Sequence, residues 1–126
     1  MAKYVDGFVL VMPEGKDEEY RKMAEAGKEA WMRHGALSYF ECRGDEMTTK
    51  DMGGGKAIEF PDLAKAKPGE TVWFSFIVFE SKQHRDEVNK KVMDEMNEQY
   101  KDTGEVSMPF DMQRFAYGGF EVVVEG

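Results

Sequence analysis

Thr71-Val72-Trp73-Phe74-Ser75-Phe76-Ile77-Val78-Phe79-Glu80 is the stretch from which the fold can be read. Its density of β-branched and aromatic residues marks a strand. Strands that leave one side wet alternate apolar and polar positions. Here Val72, Phe74, Phe76 and Val78 make one parity apolar, while Trp73, Ile77 and Phe79 make the other almost equally so, with only Ser75 between them. Such a strand needs cover on both faces. Ser81 follows as a helix N-cap, and the period then changes to that of a helix over Lys82 to Tyr100, with a stripe of Val88, Val92, Met93, Met96 and Tyr100. Arg85 and Asn89 fall on or beside that stripe, so two polar groups sit at the N-terminal end of a face that should be buried.

The same strand-then-helix order occurs earlier in the chain. Tyr4 to Met12, bounded by Pro13 and Gly15, reads as a first strand. From Asp17, residues Tyr20, Met23, Ala24, Gly27, Ala30, Trp31 and His34 line one side of a helix. Asp17, Glu18 and Glu19 suit its positive end, Arg33 and His34 its negative end, and Gly35 the left-handed cap. Ala36 to Arg43 reads as a second strand. Gly44 to Glu70 is a long excursion with little periodicity, in which Asp62 to Lys67 can turn as a short helix before Pro68-Gly69. Gly53-Gly54-Gly55-Lys56 fails as a phosphate loop because Ala57 stands where Ser or Thr is required, so it reads as a plain loop. After Gly104 a turn segment, Ser107-Met108-Pro109-Phe110-Asp111, leads into a last strand over Gln113 to Val124.

The order strand, helix, strand, strand, helix, strand predicts an α+β fold of the ferredoxin-like βαββαβ class: a four-stranded antiparallel sheet with two helices on one face. The 126 residues make a single domain. Strand parity suggests that Tyr4, Asp6, Phe8, Trp73, Ser75, Tyr39, Glu41, Tyr117 and Glu121 share the helix-free face. An aromatic sheet surface of that size is not left in water by soluble monomers. A second copy, packed sheet against sheet in a two-fold homodimer, is the economical cover, with a filled or hollow space between.

Composition excludes several classes. A formal charge of -8 disfavours nucleic acid and anionic lipid, which require clustered Lys and Arg. No segment is long and apolar enough to span a bilayer, and the N-terminus lacks a basic stretch followed by an apolar run. The single Cys42 excludes an intramolecular disulfide and fits a reducing cytoplasm, where it is expected to be a buried, inert thiol. The two histidines, His34 and His84, have no ligand-spaced partners, so neither a metal nor another cofactor is expected; a haem-ligand role for His84 is the weaker reading of that residue.

Tyr4-Val5-Asp6-Gly7-Phe8, Gly35-Ala36-Leu37, Glu41-Cys42, Phe74-Ser75-Phe76-Ile77, Ser81-Lys82, Arg85-Asp86, Asn89 and the closing Ser107 to Glu121 segment resemble the bacterial YbaA-like family of unknown function. The match spans nearly the whole chain and is weakest between Asp45 and Glu70. The resemblance implies a dimeric alpha-beta barrel. That superfamily includes cofactor-free monooxygenases, isomerases, haem enzymes and plain binding modules, so the fold selects no chemistry.

Candidate ligand-binding residues are Tyr4, Asp6, Tyr39, Glu41, Trp73, Ser75 and Tyr117, of which Asp6 and Glu41 are candidates for a general acid or base if burial raises their pKa. The reading preferred for the same carboxylates is that of polar anchors at a dimer interface. Arg85, Asp86 and Asn89 read as a structural clamp, with Arg85 reaching a carboxylate such as Asp111 and Asn89 satisfying buried backbone groups. Met108, Pro109, Phe110, Asp111 and Arg114 form a lid or a turn. Three functions follow in order: a homodimeric small-molecule-binding module, a cofactor-independent enzyme of monooxygenase or isomerase type, and a structural or protein-interaction module.

Overall fold

A computed structural model describes residues 2–101 and 108–126. Its elements are β1 (Tyr4–Met12), α1 (Asp17–Arg33), β2 (Ser38–Arg43), a short α2 (Phe60–Leu63), β3 (Thr71–Phe79), α3 (Lys82–Tyr100), one 3-10 turn (Met112–Arg114) and β4 (Ala116–Glu121). The chain is α+β, with a four-stranded sheet ordered β2-β3-β1-β4 and every neighbouring pair antiparallel. β3 and β1 take the two central places, which is why their residues are the most apolar in the chain. The last strand starts later than its sequence suggests because Met112–Arg114 winds into the 3-10 turn. The short helix of the excursion, expected over Asp62 to Lys67, is α2 at Phe60–Leu63, so it starts two residues earlier and stops at Leu63.

Local signals act as expected at the helix ends. The Ser81 hydroxyl accepts the His84 N–H at 3.1 Å and starts α3. Gly35, at φ 110°, turns the chain out of α1. Gly27 serves by its lack of a side chain: a Cβ there would lie 3.0 Å from the Tyr39 hydroxyl, so any larger residue would press on the ring that reaches Glu41.

The two sheet faces are exchanged relative to the sequence reading. α1 and α3 cover the parity of Tyr4, Asp6 and Phe8, of Tyr39 and Glu41, and of Trp73, Ser75, Ile77 and Phe79. Ile77 and Phe79 pack with Ala30, Val88 and Val92, and Trp73 packs with Leu10, Met12, Tyr20 and Ala24. Trp73, Ile77 and Phe79 are therefore core, not a wet surface. The bare face is the other parity: Phe40 (50% exposed), Phe74 (44%) and Phe120 (61%), with Phe76 stacked on Phe40 at 5.0 Å. Part of it is roofed by the excursion, whose Met47 and Phe60 lie beside Val72, Phe74 and Cys42.

Candidate functional site

Glu41 lies on β2 opposite Ser75 of β3, facing α1. Three hydroxyls converge on its carboxylate. Tyr20, one turn into α1, donates to Oε2 at 2.9 Å; Tyr39, two residues back on β2, donates to Oε1 at 2.8 Å; the Ser75 hydroxyl adds a third bond. Burial pushes the Glu41 carboxyl above the ordinary carboxylate range, and the three hydrogen bonds only partly oppose it. Burial also pushes both phenols up, and the neighbouring Glu41 charge pushes them further. The tyrosines thus remain protonated donors, and Glu41, a carboxyl group held above its ordinary range, is the group in the cluster poised to take up or release a proton.

The cluster opens to solvent through a pocket of about 370 Å³. Tyr39, Glu41 and Trp73 are at its base and Arg21, Lys28 and Arg43 at its mouth. The Trp73 ring is fixed by a bond from Nε1 to Asp17 Oδ1 at 3.2 Å and by an edge contact with Tyr20 at 5.0 Å. Phe110 meets the Tyr20 ring at 5.8 Å, so the 108–111 segment braces the cluster from the side.

Asp6 belongs to a separate polar group farther along the same face. Its Oδ1 accepts Arg85 Nη1 at 2.7 Å and its Oδ2 accepts Asn89 Nδ2 at 3.2 Å, while Asn89 Oδ1 accepts the Trp31 indole N–H at 2.9 Å. Arg85 also bonds Asp86 at 2.8 Å and lies 4.7 Å over the Tyr4 ring. Arg85, Asp86 and Asn89 are joined in one polar group, but not to the partners expected of them. Arg85 pairs with Asp6 instead of Asp111, and Asn89 serves side chains instead of backbone. Both Asp6 oxygens are engaged, so the role this geometry gives Asp6 is that of an anchor between β1 and α3.

The other candidates are scattered. Tyr117 is 74% exposed at the sheet edge, stacked on Phe8 and Phe115 and away from Glu41. Asp111 caps the 3-10 turn and pairs with Arg114 at 3.2 Å. Arg114 makes a two-pronged contact with Glu70, at 2.6 and 2.8 Å, which ties the end of the excursion to the C-terminal segment. Met108 is exposed and Pro109 half-buried. Ser107 and Gly104 lie outside the described residues. His84 accepts the Glu80 N–H on Nδ1 at 3.0 Å, and His34 meets Glu95 at 3.0 Å, so each has a local structural partner. Cys42 is exposed on the bare face, contrary to the buried thiol expected. Among the described residues no cluster of His, Cys, Asp and Glu could hold a metal ion.

Tyr20, Asp17, Arg21, Lys28 and Arg43 are the site residues that sequence reasoning missed. Tyr20 had a signal: with Trp31 it is one of two polar-tipped aromatics on the α1 stripe, and each requires a partner for its polar tip when buried. The three cations had none beyond exposed positions, Arg21 and Lys28 on α1 and Arg43 at the end of β2.

Fold and site together define an α+β protein with one helix-covered, polar-furnished sheet face and one bare aromatic face. The chain belongs to the family described as "Protein of unknown function (DUF1428)", which matches residues 3–112. It is 41% identical over 123 residues to the uncharacterized protein YbaA of Escherichia coli K12, covering 98% of each chain, and equally to YbaA of Shigella flexneri. Among solved structures, the de novo designed protein Foldit4 aligns over 98% of this chain and 99% of its own with a TM-score of 0.42 at 10% identity.

Proposed function

We propose that the protein is a homodimeric small-molecule-binding module of the ferredoxin-like, dimeric alpha-beta barrel type, acting in the cytoplasm. Each protomer holds its ligand over Glu41. The observation that carries this reading is the pocket itself, a recess of about 370 Å³ lined by the Glu41 carboxyl group, whose pKa is raised, with the Tyr39 phenol and the Trp73 indole beside it and the Tyr20 phenol bonded to Glu41 from behind. The ligand site lies under the helices and not between paired sheets, because the polar residues face the helices.

Pairing uses the bare face. Phe40, Phe74, Phe76 and Phe120 offer an apolar, nearly charge-free surface on a chain of formal charge -8, so a second copy meets it with least repulsion. Wild-type protein should sediment as a dimer at tens of micromolar, and Phe74→Lys should sediment as a folded monomer. A wild-type monomer at that concentration removes the pairing. For the pocket, a thermal-shift screen against a metabolite panel should give hits whose shifts vanish in Glu41→Gln. A uniformly flat response removes the binding reading.

The raised pKa of Glu41 favours a second reading, in which the bound molecule exchanges a proton with that carboxyl group as a cofactor-independent enzyme would require. Turnover of any hit, lost in Glu41→Gln and kept in Asp6→Asn, separates this from binding alone.

A further inference from the structure

We infer that the pocket over Glu41 takes a small organic acid as its carboxylate anion, and that Glu41 carries a proton when the ligand is seated. The inference rests on reading the pocket as a ligand site, and adds the charge of the ligand and its coupling to a proton.

The argument is a local charge balance. Arg21, Lys28 and Arg43 surround the mouth of a pocket in a chain whose formal charge is -8. Two of these cations are loosely offset: Arg21 lies 3.5 Å from Glu25, and Arg43 lies 3.8 Å from Asp17. Lys28 has no ion-pair partner among the described residues. From α1, then, the groups facing Glu41 are Tyr20, Arg21, Glu25 and Lys28, with Asp17 held by Trp73; from β2 they are Tyr39 and Arg43, and from β3 Ser75. With both phenols neutral, the Glu41 proton decides the sign. Protonated, the pocket keeps one uncompensated positive charge; ionised, it is neutral, with its negative end at the floor where a ligand must sit.

A carboxylate entering this space meets cations at the rim and a carboxyl group at the floor. Against an ionised Glu41 the two carboxylates repel at short range in a half-buried site. Against a protonated Glu41 the floor becomes a hydrogen-bond donor, and charge-assisted bonding to the ligand replaces the repulsion. Anion binding and proton uptake are therefore linked, and affinity should fall with rising pH by up to about tenfold per unit, the limit for one proton per ligand. The cations supply attraction at any pH, and the indole edge and Ala24 supply an apolar wall for the ligand body.

Benzoate, benzamide and benzylamine test this, since they share a ring and differ in charge. By isothermal titration of the full-length protein at pH 6, benzoate should bind at least tenfold more tightly than the other two. Its affinity should fall as pH rises, and two buffers of different ionisation enthalpy should show net proton uptake on binding. Glu41→Gln should flatten the pH dependence. Lys28→Glu, at an exposed helix position that leaves the thermal midpoint unchanged, should weaken benzoate roughly three- to tenfold. Benzamide or benzylamine binding as tightly as benzoate, with dependence on Glu41, overturns the anion inference and leaves the ligand site standing. Benzoate affinity that is independent of pH overturns the proton coupling. No heat from any of the three at millimolar concentration overturns the inference and the binding reading together.

Discussion

Replacing Asp6 with Ala removes the shared partner of Arg85 and Asn89 from a position only 6% exposed. Breaking a buried ion pair from one side costs about 3–5 kcal/mol, because the remaining charge stays desolvated and uncompensated. Two features of this site lower that figure. Arg85 keeps Asp86 at 2.8 Å and the Tyr4 ring at 4.7 Å, so it is not left without compensation. Its side chain is also 19% exposed, and rotation toward water recovers part of its hydration. The expected cost is therefore about 2–3 kcal/mol, which for a domain of this size lowers the thermal midpoint by roughly 8–12 °C. Asp6→Asn retains an acceptor and should cost about 1 kcal/mol.

Urea denaturation at one fixed protomer concentration measures these values without a shift from any association equilibrium. The double variant Asp6→Ala/Arg85→Met is the decisive arm. If the single variant suffers because a buried cation is stranded, removing the cation should restore part of the loss, and the double variant should be more stable than Asp6→Ala alone. Strictly additive losses in the double variant, or an Asp6→Ala change within 0.5 kcal/mol of zero (the ordinary surface range), would refute the anchoring role.

Two further outcomes test other parts of the fold. The Arg114 guanidinium holds the Glu70 carboxyl down to about 2, below its ordinary value of 4.5, so the folded state binds fewer protons than the unfolded chain between those values. Its contribution is complete above pH 4.5 and is lost as pH falls toward 2, and a urea-midpoint series over that range should be shallower in Glu70→Gln. Ser81→Ala removes the N-cap of α3 and should cost about 1 kcal/mol by the same denaturation assay, with Ser81→Thr close to wild type.

Much of the architecture was legible because periodicity and end signals agreed. α1 ran where acidic residues, a small-residue stripe and Gly35 placed it, and α3 began at Ser81 and ended its described course at Tyr100. β1 had the bounds its Pro13 and Gly15 imply. Element ends were lost where local hydrogen bonding overrode strand character. Gln113 and Arg114 have no strand-excluding chemistry, yet the Asp111 carboxylate accepts the Gln113 N–H at 2.9 Å and winds the segment into a 3-10 turn. In the excursion, α2 starts at Phe60, one residue ahead of a Pro suited to a first helical turn.

The choice of face was the larger loss, and its cause lies in β3. When both parities of a central strand are apolar, hydrophobicity cannot say which one the helices cover. The polar residues could have said it. A buried carboxylate or indole requires a partner, and partners must come from the layer packed against it. α1 carries Asp17 and Tyr20 toward the sheet, and α3 carries Arg85 and Asn89 on a stripe otherwise meant for burial. Those helix-borne polar groups meet the polar groups of a single strand parity: Trp73 with Asp17, Glu41 with Tyr20, and Asp6 with both Arg85 and Asn89. The opposite parity offers Phe40, Phe74, Phe76 and Phe120, which require only cover. Polar residues misplaced on helix stripes are thus the complement of polar residues misplaced on strands, and pairing the two sets orients a sheet that its apolar residues leave ambiguous.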